Sequence, residues 1–118
     1  MITCEVFDVN GIEFRGKNIY HMRGDTGIID IDLVSWGCDF PFRDGDSAIL
    51  SIKKKLTDSD YVLQKHADSN GLFVFYPEDT QYLEPGNYWY DIQVTFREGQ
   101  VLTVRGPAQY RLLADVTV

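Results

Sequence analysis

Residues 83–105 hold the feature that most constrains the fold, an alternating run of side chains followed by a turn and a second run. One face of the alternation is apolar and aromatic, and the other is largely polar: Tyr88, Tyr90, Ile92, Val94 and Phe96 against Trp89, Asp91, Gln93, Thr95 and Arg97. Successive side chains of a strand point to opposite faces, so the run predicts a strand with one buried face. Glu98-Gly99 then predicts a tight turn, and 101–104 a strand that returns beside the first.

The rest of the chain repeats this pattern of short strands and turns rich in glycine, asparagine and aspartate. The pattern predicts further strands at 3–8, 12–15, 18–22, 28–34, 47–55, 61–65, 72–76 and 108–116. Gly106-Pro107 is predicted to interrupt the last strand, and 77–83 to form one helical turn. Many short strands without a helical period predict an all-β protein, an immunoglobulin-like antiparallel β-sandwich. At 118 residues we expect a single domain over 1–118.

The segment before the central strand resembles the tyrosine corner of immunoglobulin-like folds. In that corner, a tyrosine near the start of the penultimate strand bonds a nearby backbone group. Leu83 and Gly86 lie at the expected place, and either Tyr88 or Tyr90 supplies the hydroxyl. The segment therefore predicts a structural corner.

Charge and cysteine content exclude several classes of protein. The net charge is −7 and the sequence pI about 4.6, which disfavours binding to nucleic acid because phosphate backbones are anionic. No apolar run is long enough to span a membrane. Cys4 and Cys38 are interpreted as buried free thiols. The first residues lack the basic and apolar parts of a signal peptide, so we expect the protein in the cytoplasm until it joins an assembly.

Catalytic and cofactor-binding patterns do not emerge from the sequence. His21 and His66 lie far apart without neighbours at ligand spacing, and no Gly-x-Ser-x-Gly elbow is present. Asp30 and Asp32 share one strand face, as paired acids of a glycosidase or a metal site do, but this pattern is typical of a solvated sheet face. We therefore predict no enzyme, no cofactor and no metal.

Two short motifs match known binding motifs in whole or in part, and each is interpreted as a turn. Arg23-Gly24-Asp25 matches the integrin-recognition tripeptide, but three-residue matches arise often by chance and a Gly-Asp turn between strands explains it fully. Asp44-Gly45-Asp46 contains only part of a calcium-loop pattern and is interpreted as a turn.

Aromatic residues in the predicted loop 35–46 are the candidate interface. Trp36, Phe40 and Phe42 either anchor a partner or fold back as a lid over one end of the sandwich. Trp89 lies on the presumed outer face of the central strand, where the loop covers it or a partner contacts it.

Four stretches together resemble a family of small phage and prophage structural proteins of Gram-positive bacteria. They are 22–27, 44–46 leading into 50–54, 79–92, and Gly106-Pro107-Ala108 before 115–117. The chain is similar over nearly its whole length to the immunoglobulin-like N-terminal domain of the baseplate upper protein. The resemblance implies a non-enzymatic tail, baseplate or decoration component that resides in the virion after assembly. It also implies other virion proteins, or further copies of the chain, as partners.

The alternative hypothesis is a β-sandwich module that binds carbohydrate or a cell surface. In that case exposed aromatic residues such as Trp36 and Trp89 would stack on sugar rings.

Overall fold

The computed structural model describes residues 11–31 and 42–114, which form two β-sheets and a short helix. The larger sheet has six strands in the order β1-β2-β8-β7-β4-β5, and β3 pairs with β6 in a two-stranded sheet. The elements are β1 (Ile12–Arg15), β2 (Asn18–Met22), β3 (Gly27–Asp30), β4 (Ser47–Lys53), β5 (Leu63–His66), β6 (Leu72–Phe75), α1 (Pro77–Thr80), β7 (Gly86–Thr95) and β8 (Val101–Leu113).

One hydrophobic core joins the two sheets, so the predicted β-sandwich is confirmed. Burial of apolar surface drives this packing, and most strands contribute alternate residues to it, whereas β5 contributes only the partly buried Leu63. The apolar face of β7 is buried from Tyr88 to Val94, as its alternation predicts, and Phe96 just after the strand is buried as well. The smaller sheet contributes the fully buried residues Ile29, Phe73 and Phe75.

The central strand β7 pairs antiparallel with β4 on one side and β8 on the other. The pairing of β2 with β8 is parallel, with Ile19 opposite Tyr110 and Met22 opposite Leu113. An antiparallel arrangement is predicted where a hairpin joins neighbours. Because β2 and β8 are distant in sequence, no turn dictates their relative direction.

The prediction that Gly106-Pro107 interrupts the last strand is wrong, because β8 runs continuously through both residues. The register between β7 and β8 shifts twice, between Tyr90 and Ile92 and between Ile92 and Gln93. In both places β8 carries the extra residue, so it contains two bulges. A bulge accommodates proline because it leaves a residue outside the regular ladder of backbone hydrogen bonds.

The turn after β2 is fixed against α1, which begins at Pro77 within the predicted helical turn. The Asp25 amide donates to the Met22 carbonyl over 3.1 Å, and Gly24 has a φ of +84° that suits glycine at this turn position. The Gly24 amide also donates to Thr80 Oγ1 over 2.8 Å. The Arg-Gly-Asp tripeptide is thus part of a turn that joins two of the stretches behind the family resemblance.

Tyr88 makes the local bond of a tyrosine corner. Its hydroxyl donates to the Glu84 carbonyl over 2.6 Å, while the Tyr90 hydroxyl donates to the distant Lys17 carbonyl over 2.6 Å. Leu83 packs, partly buried, against the core. Tyr88 therefore closes the corner, and Tyr90 ties β7 to the turn between β1 and β2.

Candidate binding site

A cleft of about 140 Å³ opens on the outer face of the six-stranded sheet, away from the core. The pairing of β4 with β7 places Ser51 opposite Asp91 and Lys53 opposite Trp89. These residues alternate with the core residues of each strand, so their side chains share the outer face. The segment after β4 contributes Tyr61, and the bulged part of β8 contributes Pro107. We call these six residues the outer cleft.

Aromatic and apolar groups form the walls of the outer cleft. Trp89 is half-buried and Tyr61 is 49% exposed, so part of each side chain is open to solvent. The nearby Leu56 is also exposed, and Pro107 adds a rigid apolar ring. Exposed apolar groups gathered in a concave site are typical of ligand and partner binding.

Polar groups of the outer cleft balance in charge. Burial raises the pKa of Asp91 above its ordinary value, and the positive charge of Lys53 partly opposes this rise. The Lys53 ammonium lies 5.1 Å from the centre of the Tyr61 ring, within range of a cation–π contact. Gln64 donates to the Ser51 hydroxyl over 3.0 Å. The cleft thus offers a carboxylate acceptor, an ammonium donor and a positioned hydroxyl.

The predicted interface residues divide between the outer cleft and the core. Trp89 lies in the cleft, on the outer face of its strand. Phe42 packs, partly buried, against the core, and a Cβ on Gly71 would come within 3.1 Å of its ring. That position agrees with the lid interpretation for Phe42. Trp36 and Phe40 lie outside the described residues, as do Cys4, Cys38 and Asp32.

His21 is a buried structural residue and not an open catalytic group. Its Nε2 lies 2.9 Å from the Asp25 carbonyl, and its Nδ1 lies 2.5 Å from the Tyr110 hydroxyl. Because a carbonyl only accepts, Nε2 carries the proton and Nδ1 accepts from Tyr110. Burial lowers the pKa of His21, which keeps the ring neutral. His66 is exposed on β5, far from this pair in sequence.

Asp46 connects the segment before β4 to the segment after β7 through hydrogen bonds. Its fully buried side chain accepts the amides of Arg43 and Arg97 over 2.9 and 2.8 Å, and it pairs with the Arg43 guanidinium at 3.3 Å. Burial alone would raise the pKa of Asp46, but these hydrogen bonds outweigh burial and hold the pKa below its ordinary value. Within 11–31 and 42–114, no three His, Cys, Asp or Glu residues are grouped to hold a metal ion.

The edge of β8 is a second candidate surface. Among the described residues, β2 pairs with β8 only at 110–113, so 101–104 have β7 as their strand neighbour. Val101 is 61% and Leu102 41% exposed. We call residues 101–104 the β8 edge.

No family model and no curated protein matches this sequence. Among solved structures, CopC from Methylosinus trichosporium OB3b is similar at 16% identity and a TM-score of 0.38, with 60% of this chain and 66% of CopC covered. At that TM-score the likeness carries no argument about function. The part of the chain that the structure describes has no helix long and apolar enough to cross a membrane.

Sequence reasoning missed most of the outer cleft. It placed Tyr61 in a strand, whereas β5 begins at Leu63, and it treated Pro107 only as a strand breaker. Trp89 was found because the alternation of β7 puts it opposite the buried face. The register of β4 against β7 would have been needed to bring Lys53 and Ser51 to the same place.

Proposed function

We propose that this protein is a non-enzymatic structural and assembly module of a phage or prophage particle, in the tail, the baseplate or a virion decoration. The resemblance described above supports the proposal over nearly the whole chain. The observation that carries it is the β8 edge. There Val101 and Leu102 are exposed, and among the described residues this part of β8 has β7 as its one strand neighbour.

An exposed strand edge presents backbone amides and carbonyls that can pair with another chain. Such an edge is a liability in a protein that functions alone, and it is useful in a protein that assembles. The two exposed apolar side chains add area that a partner would bury. Either a further copy of the chain or another virion protein would complete the edge.

Symmetry and charge specify the kind of assembly expected. Closed rings and dimers are the common outcome when copies of one chain associate. A net charge of −7 keeps free copies apart, so contact between isolated copies is weak and salt-sensitive. Binding to another virion protein would then set the position of this module in the particle.

Particle incorporation tests this proposal. Tail-containing particles are purified from the strain that encodes the chain, and the chain is quantified in them by mass spectrometry. We expect a fixed number of copies per particle for the wild type. Val101→Lys/Leu102→Lys should lower that number at least tenfold.

The matched control adds the same two charges at an exposed turn, as Thr57→Lys/Ser59→Lys. It should be incorporated like the wild type. Particles that lack the chain while the cell lysate contains it would refute the function. Normal incorporation of the folded Val101→Lys/Leu102→Lys variant would refute the role of the β8 edge.

A further inference from the structure

We propose that the outer cleft is a binding site for a single ring of a neutral carbohydrate. This inference does not depend on the assembly role, because it concerns other residues on a different part of the sheet. Three observations carry it: the aromatic walls, the balanced charges and the small volume.

The aromatic walls fit one face of a sugar ring. A pyranose presents a face of C–H groups, which carry slight positive charge, and the face of an aromatic ring is slightly negative. Trp89 and Tyr61 come from different segments and line the same cleft, so one or both can contact that face. Pro107 adds an apolar surface that excludes water from the contact.

The polar groups fit the hydroxyl groups around the edge of a sugar. Each sugar hydroxyl both donates and accepts a hydrogen bond. The Asp91 carboxylate accepts, the Lys53 ammonium donates, and the Ser51 oxygen already accepts from Gln64 and so keeps its own proton free to donate. With one negative and one positive group, the cleft gives a charged ligand no net attraction.

The volume limits the ligand to one ring. Pockets that enclose drug-sized molecules measure roughly 300–1,000 Å³, whereas the outer cleft measures about 140 Å³. A ligand of this size makes few contacts, and we expect a dissociation constant on the order of 1 mM. Repeated copies of the protein in an assembly would raise the apparent affinity for a polymer of such sugars.

The test is a titration of ¹⁵N-labelled protein with monosaccharides, followed by two-dimensional NMR. The neutral sugars are glucose, galactose, rhamnose and N-acetylglucosamine, and the charged analogues are glucosamine and galacturonate. At least one neutral sugar should shift the Trp89 indole signal and the backbone amides of Ser51, Lys53 and Asp91 in a saturable way. The charged analogues should bind more weakly than their neutral counterparts.

Two variants and two controls locate the binding. Trp89→Ala and Tyr61→Ala should each weaken binding at least tenfold, and Tyr61→Ala is the safer of the two because the ring is half exposed. Gln93→Ala removes an exposed side chain on the same face of the same strand and should bind as the wild type does. Val101→Lys/Leu102→Lys should also retain sugar binding, which separates this inference from the assembly proposal.

Several outcomes would overturn the inference. The first is the absence of a saturable shift with every neutral sugar in the panel. The second is binding that survives in both cleft variants, which would place the site elsewhere. The third is tighter binding of a charged analogue. The fourth is a substitution in the outer cleft that weakens binding of this protein to another virion protein, when no sugar shifts the NMR signals of the wild type. The outer cleft would then be a protein interface.

Discussion

Three buried tyrosines allow one chemical change to be compared in three surroundings. Tyr88, Tyr90 and Tyr110 are each at most 3% exposed, and each hydroxyl donates one hydrogen bond. Replacing each in turn by phenylalanine removes only the hydroxyl and keeps the buried ring. The three variants therefore differ mainly in what happens to the acceptor.

The acceptors differ in their access to water. Tyr88 and Tyr90 donate to backbone carbonyls of Glu84 and Lys17, residues that are both exposed. Water can replace the lost donor there, so each change should cost about 1 kcal/mol. Tyr110 donates to Nδ1 of His21, which is 1% exposed.

Loss of the Tyr110 hydroxyl leaves a buried acceptor without a donor. A buried polar group stripped of its partner costs about 1–3 kcal/mol. Tyr110→Phe should therefore be the most destabilising of the three changes. Because a chain of this length loses about 4 °C of melting temperature per kcal/mol, the difference is measurable.

Urea unfolding at pH 7.5, followed by tyrosine and tryptophan fluorescence, gives the free energy of unfolding of each variant. Equal slopes against urea would show that the compared states bury similar surface. If Tyr110→Phe proved the mildest change, or if all three were equal within error, the link between acceptor burial and cost would be refuted.

Burial lowers the pKa of His21 in the folded protein, so the unfolded chain takes up a proton first and stability should fall as the pH drops below about 6.5. His21→Gln should flatten this slope in urea midpoints measured from pH 7.5 to 5, and His66→Gln should retain it. The lowered pKa of Asp46 gives stability that is present above about pH 4 and lost below it, so Asp46→Asn should flatten the acid limb of the same profile. Leu50→Ala should cost about 2–5 kcal/mol, and Leu83→Ala less because Leu83 is only partly buried. Equal losses of unfolding free energy for the two leucine variants would contradict this ranking.

Local patterns in the sequence were sufficient for most of the strands. The alternation of β7 gave its buried face directly, and Glu98-Gly99 marked the turn before β8, where Gly99 adopts a φ of +100°. The tyrosine corner was placed to within two candidates, since the sequence does not show which hydroxyl reaches the backbone nearby. These features depend on residues close together in the chain.

Features that join distant residues were not predictable in this way. The parallel pairing of β2 with β8 has no hairpin to signal it. The bond between His21 and Tyr110, and the meeting of Lys53, Tyr61 and Trp89 in the outer cleft, follow from strand registers that local spacing does not fix. The continuity of β8 through Pro107 depends on bulges that form only against β7.

The parallel pairing has a consequence for synthesis on the ribosome. β2 is made early, but its partner residues 110–113 leave the exit tunnel only after β3 to β7. Until then, one edge of β2 and one edge of β7 lack their native strand neighbour. Contacts between distant parts of a chain form slowly and leave intermediates open to aggregation. The domain therefore completes its larger sheet after translation of β8, and nascent chains stalled before Tyr110 should require a chaperone to remain unaggregated.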